Sequence, residues 1–142
     1  MTYNDFRKEF SFIKSKFFKE IGDINFEFDD NLGLFVLGIC SGNFDFDSEK
    51  ILHNGLKFSP FLLKTNKYFC RAIIKHELIH YEIHTEFKNN TKGVLNMIFP
   101  HGISFIKKSI RAKNYIDSLI CVLCLGLIGI NLKVLRYCNM SF

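Results

Sequence analysis

The sequence lacks the features that mark secreted, membrane-spanning and disulfide-bonded proteins. Its first eight residues contain no apolar segment of the kind found in a signal peptide. The longest apolar run, residues 119–130, would span ~18 Å as a helix, well short of the ~30 Å hydrocarbon core of a membrane. The five cysteines are an odd number, which favours reduced thiols over a disulfide framework. We therefore expect a cytoplasmic protein with no transmembrane segment.

Charge is distributed unevenly along the chain. Residues 1–50 contain six Lys or Arg and ten Asp or Glu, a net charge of −4, whereas residues 51–142 contain thirteen and four, a net charge of +9. There is no run of five like charges and no alternation of aromatic and basic residues typical of RNA-binding segments. A solvated surface explains the basic half at least as well as a nucleic-acid partner does, so both interpretations stay open.

The 142 residues, 48% of them hydrophobic, suffice for the core of one domain, and their pattern predicts an α+β fold. An apolar stripe at helical spacing predicts an N-terminal helix that ends at Gly22. Its members are Phe6, Phe10, Ile13 and Phe17. Three strands are predicted next, with the second paired to the first, at residues 24–28, 32–40 and 51–58.

His76, Glu77 and His80 form the sequence His-Glu-x-x-His within a predicted helix over about residues 66–85. Residues four apart lie on the same helix face, ~6 Å from each other, so two imidazoles can bind one zinc ion. Glu77 is one position further round and can reach a water molecule on that ion, as a general base for hydrolysis must. The alternative is a helix whose surface histidines match the motif by chance.

A catalytic zinc ion usually has three protein ligands. His84 would lie ~12 Å along the helix axis from the first motif histidine, too far to share an ion with both motif histidines. No Glu occurs after Glu86, which excludes a ligand of that type from a later helix. His101 stands at the start of the next predicted helix, after a segment long enough to reverse direction. It is the better candidate, and Asp117 stays open as an alternative.

The His-Glu-x-x-His motif, followed by Pro-His-Gly-x-x-Phe at residues 100–105, resembles the SprT-like family of zinc metalloproteases. The order of predicted elements and the run at residues 56–63 are also similar, and the likeness covers roughly residues 3–113. The resemblance implies a minimal zincin-like fold. Such a fold has an N-terminal helix, a small sheet of three to four strands, the motif helix and a following helix.

The same resemblance implies roles for individual residues. His76, His80 and His101 would bind one catalytic Zn²⁺, and Glu77 would be the catalytic acid and base. The implied substrates are proteins, some of them attached to DNA.

In SprT-like proteins the domain often continues into a zinc ribbon with two Cys-x-x-Cys knuckles. Cys121 and Cys124 could form the first knuckle here, but the second would consist of Cys138 and Ser141. A hydroxyl is a poor substitute for a thiolate on zinc. We therefore predict a SprT-like domain at residues 1–114 and, at residues 115–142, a degenerate zinc-ribbon-like hairpin that packs on it without a second, structural zinc ion. A metal ion held by Cys121, Cys124 and Cys138, and an apolar tail that docks on a partner or a membrane surface, stay open as alternatives.

The sequence thus predicts a cytoplasmic zinc metallopeptidase. One alternative is a zinc-binding adaptor that no longer cleaves and binds nucleic acid or a protein partner. The other is a structural domain that binds no metal.

Overall fold

The computed structural model describes residues 1–32, 36–45, 50–86, 102–117 and 119. The chain forms α1 (Tyr3–Phe17), β1 (Phe26–Phe28), β2 (Gly38–Asp45), β3 (Lys50–Phe58), a 3₁₀ helix (Pro60–Lys64), α2 (Lys67–Glu86) and α3 (Ile103–Arg111). Helices packed with a three-stranded sheet confirm the predicted α+β class. In the described part of the chain, no helix is long and apolar enough to cross a membrane. The predicted C-terminal hairpin falls mostly outside the described residues.

The helix α1 begins with a capping box and ends earlier than predicted. The Thr2 side chain accepts a hydrogen bond from the backbone N–H of Asp5, and the Asp5 carboxylate accepts one from the N–H of Thr2. The helix ends at Phe17 rather than at Gly22. Phe18 and Ile21, which follow the last turn, are both buried. Burial of these two side chains in the core favours the early end of the helix.

The sheet has the strand order β1-β3-β2, with β1 parallel and β2 antiparallel to β3. The prediction that the second strand pairs with the first is therefore wrong, and that strand begins at Gly38. The parallel pairing places the ring of Phe26 5.8 Å from that of Phe58, and the ring of Phe6 packs 5.1 Å from each of them. This aromatic contact holds α1 against β1 and β3. Because β1 has only three residues, the packing of its Phe rings decides which strand it pairs with.

The helix α2 is the element that the others pack around, since it contacts α1, β2, β3 and α3. Asn66 caps its first turn by accepting a hydrogen bond from the backbone N–H of Phe69 at 2.9 Å. On the side that faces α3, the buried carboxylate of Glu82 pairs with Arg111 and, at 3.3 Å, with Lys108. These ion pairs, together with fully buried Phe105, hold α3 on α2 near the motif histidines.

Candidate metal centre

The two histidines of the motif face each other through their Nε2 atoms. Nε2 of His76 and Nε2 of His80 are 3.1 Å apart. For two Zn–N bonds of ~2.0–2.1 Å at a tetrahedral angle, the two nitrogens must be about 3.3 Å apart. The pair therefore fits a shared zinc ion with only a small adjustment, as residues one helical turn apart are expected to do.

Phe105, the first buried residue of α3, packs against both motif histidines from one side. The ring of Phe105 lies 5.0 Å from the ring of His76 and 4.8 Å from that of His80, measured between centroids. The side chain of Phe105 is fully buried. It therefore restricts the rotation of both imidazoles and keeps water from one side of them, which favours a fixed geometry for metal ligands.

Glu77 lies where α2 meets β2, and its side chain is only 5% exposed. Its carboxylate accepts a hydrogen bond from the backbone N–H of Cys40. Burial raises the pKa of Glu77 to about 7; the charge of Asp117 adds to this effect, and His76 and the Cys40 N–H oppose it. A carboxylate with this pKa accepts and returns a proton readily near neutral pH.

Asp117 contacts His76 on the ring nitrogen that faces away from His80. Its Oδ2 is 3.0 Å from Nδ1 of His76. Burial lowers the pKa of His76, but the hydrogen bond and charge of Asp117, together with the charge of Glu77, outweigh burial and raise it. The structure thus places Asp117 beside a candidate ligand, at the opposite nitrogen from the proposed ion, and not in the position of a third ligand.

His101, the predicted third ligand, lies outside the described residues, as do the tail cysteines Cys121, Cys124 and Cys138. Gly102, the next residue after His101, is the N-cap of α3. Within the described ranges, no three His, Cys, Asp or Glu side chains come together as a metal site. The described part of the centre therefore consists of His76 and His80, with Glu77 beside them.

Comparison with known proteins gives no further guide, because no protein-family model, no curated protein and no solved structure matches the chain.

His84, one helical turn beyond the motif, contacts Cys40 of β2. Sequence reasoning did not associate these two residues. Sγ of Cys40 is 3.7 Å from Nδ1 of His84, so the His84 ring faces β2. Burial lowers the pKa of His84, and burial with the charge of Glu77 raises the pKa of Cys40 to about 12. Both side chains are therefore neutral at pH 7, and Cys40 is a poor nucleophile.

Sequence reasoning named Asp117 as an alternative ligand but not its contact with Nδ1 of His76, and it missed the close approach of Gly38 to Glu77. One feature of the sequence pointed to Asp117, namely that it is the single acidic residue after Glu86. No feature of the sequence pointed to Gly38, because a glycine within an apolar run fits many structures.

Proposed function

We propose that this protein is a zinc-dependent peptidase of the SprT-like kind. His76, His80 and His101 would hold one Zn²⁺, and Glu77 would be the general base. The observation that carries the proposal is the 3.1 Å approach of the two Nε2 atoms next to a buried carboxylate. Both ring nitrogens and the carboxylate belong to one helix, so their relative positions do not depend on a flexible loop.

The chemistry divides between the metal and the protein. Zinc, when bound, polarises the scissile carbonyl and makes water acidic enough to attack near neutral pH. Glu77 accepts the proton of the attacking water and then donates it to the leaving amine. In the metal-free protein burial raises the pKa of this carboxyl to about 7, so its surroundings favour the protonated form that donates to the leaving amine.

A polypeptide substrate is favoured by the position of β2. This strand is one of the two edge strands among the three described, and the backbone N–H of its Cys40 donates to the carboxylate of Glu77. An extended peptide that pairs with the outer edge of β2 would bring one of its carbonyl groups close to Glu77. Such pairing uses backbone groups alone, so it accepts many sequences.

Replacement of Glu77 by Gln tests the mechanism. The amide keeps the shape of the side chain but accepts no proton, so Glu77→Gln should retain zinc and lose cleavage of an unfolded protein such as casein. Glu20→Gln changes an exposed residue shortly after α1; it is the matched control and should cleave like the parent. A Glu77→Gln variant that cleaves at the parental rate would show that the mechanism is wrong.

Metal analysis tests the centre itself. The purified protein should contain about one zinc ion per chain, and His101→Ala should lower that content. Protein purified under zinc-replete conditions that contains none would exclude the proposal.

A non-cleaving adaptor that binds nucleic acid is the second candidate, and a group of basic side chains favours it. The basic cluster consists of Lys16, Arg71, Lys75 and Lys113. The ammonium groups of Lys16 and Lys75 lie 5.5 and 4.8 Å from the ring of Phe17. Burial lowers the pKa of Lys75, and the charges of Arg71, Lys16 and Lys113 lower it further.

Among the described residues, Lys16, Lys75 and Lys113 form no ion pair with a carboxylate. Cations that gather around an aromatic ring suit a single-stranded nucleic acid, which offers phosphates and stacking bases. Single-stranded DNA binding that weakens steeply with salt, without cleavage of any offered protein, would favour the adaptor. Both activities together would indicate a peptidase that acts on DNA-associated proteins.

A further inference from the structure

The turn after α3 brings a buried amide and a carboxylate to the back of His76. Lys113 has a φ of 55°, a left-handed conformation of the kind that commonly follows the end of a helix. Two hydrogen bonds attach this turn to α2. The Asn114 side-chain amide donates to the Ala72 carbonyl oxygen at 3.0 Å, and Lys75 Nζ donates to the Lys113 carbonyl oxygen at 3.1 Å. The turn is thereby fixed to α2 one turn before His76.

Asn114 also fixes the position of Asp117. Its side chain is 4% exposed, and the same amide nitrogen donates a second hydrogen bond to Oδ2 of Asp117. That oxygen is also the one 3.0 Å from Nδ1 of His76. Asp117 is thus held by a buried donor on one side and contacts the candidate zinc ligand on the other.

We propose that Asp117, held in place by Asn114, is the positioning residue of the metal centre: it accepts the Nδ1 proton of His76 and so keeps the Nε2 lone pair directed at the ion. An ionised carboxylate only accepts hydrogen bonds, so the proton of neutral His76 resides on Nδ1. Nε2, which faces His80, is then the nitrogen with the lone pair that a metal requires. This inference rests on the proposed zinc site.

The chemistry of zinc sites sets the expected size of the effect. Loss of the hydrogen-bond partner of a ligating histidine typically weakens metal affinity roughly 10- to 100-fold. We expect that loss for Asp117→Ala, measured as competition for Zn²⁺ with a chromophoric chelator. Asp117→Asn should lose less, because its amide oxygen can still accept the Nδ1 proton. Asp30→Asn, which removes an exposed carboxylate, is the charge control and should bind zinc like the parent.

The ring tautomer gives a readout that a merely structural role would not change. In the metal-free parent, ¹⁵N NMR at pH 8 should show His76 protonated at Nδ1, and Asp117→Ala should move the proton to Nε2 in a large part of the population. A parent His76 protonated at Nε2 would overturn the inference. So would an Asp117→Ala variant with parental zinc affinity.

These outcomes separate the inference from the proposed function. If the parent binds no zinc, the proposed peptidase fails. If the parent binds zinc and Asp117→Ala binds it equally well, the peptidase stands and the positioning role fails.

Discussion

At the scale of single residues, the Glu77 carboxyl group has an environment that opposes its ionisation. Its side chain is 5% exposed and burial raises its pKa to about 7, against 4.5 for an ordinary Glu. In the metal-free protein the group therefore holds its proton over a pH range in which the unfolded chain has already released it. The same property that suits a general base thus makes folding stability depend on pH.

We predict that the metal-free protein loses stability as pH rises from about 4.5 to about 7. Over this range the unfolded state releases the Glu77 proton and the folded state keeps it, so the free energy of unfolding falls with pH. The separation of the two pKa values corresponds to roughly 3 kcal/mol. Urea unfolding in the presence of a chelator, at a series of pH values, measures this slope.

The variant Glu77→Gln isolates the contribution of this group. His76 also has a raised pKa, and its contribution to stability is likewise lost as pH rises, so the parent alone does not identify the source. The variant should show a much flatter profile and greater stability at pH 8 than the parent. Parallel profiles for the two proteins would contradict the pKa that burial gives to Glu77.

Residues joined by local spacing could be predicted, whereas those joined across the fold could not. The positions of His76, Glu77 and His80 relative to one another follow from helix geometry alone. The contact between Asp117 and His76 spans 41 positions and depends on a left-handed residue at 113, for which the sequence has no glycine. Spacing alone could name Asp117 only as an alternative third ligand, since it does not say which imidazole nitrogen a carboxylate will meet.

At the scale of elements, α2 and β2 approach each other closely at Gly38. A Cβ atom on this residue would lie 2.7 Å from Cγ and 2.8 Å from Oε1 of Glu77. Both separations are shorter than a van der Waals contact, so the absence of a side chain at Gly38 allows Glu77 its present position. The backbone at Gly38 does not have a positive φ, so an alanine there is opposed by this close approach rather than by backbone strain.

We predict that Gly38→Ala displaces the Glu77 carboxylate and lowers kcat/KM for protein cleavage roughly 10- to 100-fold, because small misplacements of a catalytic group are costly. Zinc content should stay at the parental level, since the displaced side chain is that of Glu77, which is not one of the proposed metal ligands. Gly22→Ala is the matched control: a Cβ there meets nothing within 4 Å, so activity should be unchanged. Parental activity in Gly38→Ala would show that the position of Glu77 is unimportant for cleavage.

Among the helices and strands too, features set by local sequence could be predicted, and a pairing set by distant contacts could not. The helices α1, α2 and α3 were expected because their apolar residues recur at helical spacing over nine residues or more. The strand β3 was expected over residues 51–58 because apolar residues stand at both ends of this segment and Pro60 follows it. The pairing of β1 with β3 was not, since β1 has only three residues and its partner is chosen by the packing of Phe26 against distant rings.

At the scale of the whole molecule, α2 links the fold to the proposed chemistry. It contacts the sheet and both other helices, and it also holds the two candidate ligands and the candidate base. The segment that carries His101 follows α2 in the chain and leads into α3. An ion bound by all three histidines would therefore join α2 to the start of α3, whereas the ion pairs of Glu82 hold the last turn of α3. Zinc should then stabilise the fold as well as serve catalysis.

We predict that zinc raises the Tm and that a chelator reverses the rise. A ligand that binds only the folded state adds about 1.4 kcal/mol for each tenfold excess over its Kd. His80→Ala should abolish the effect, because it removes one of the two facing nitrogens. The double variant Cys121→Ser/Cys124→Ser should keep it, because the predicted tail holds no structural zinc. If the cysteine variant loses the stabilisation and His80→Ala keeps it, the metal binds in the tail, and the centre on α2 is not a zinc site.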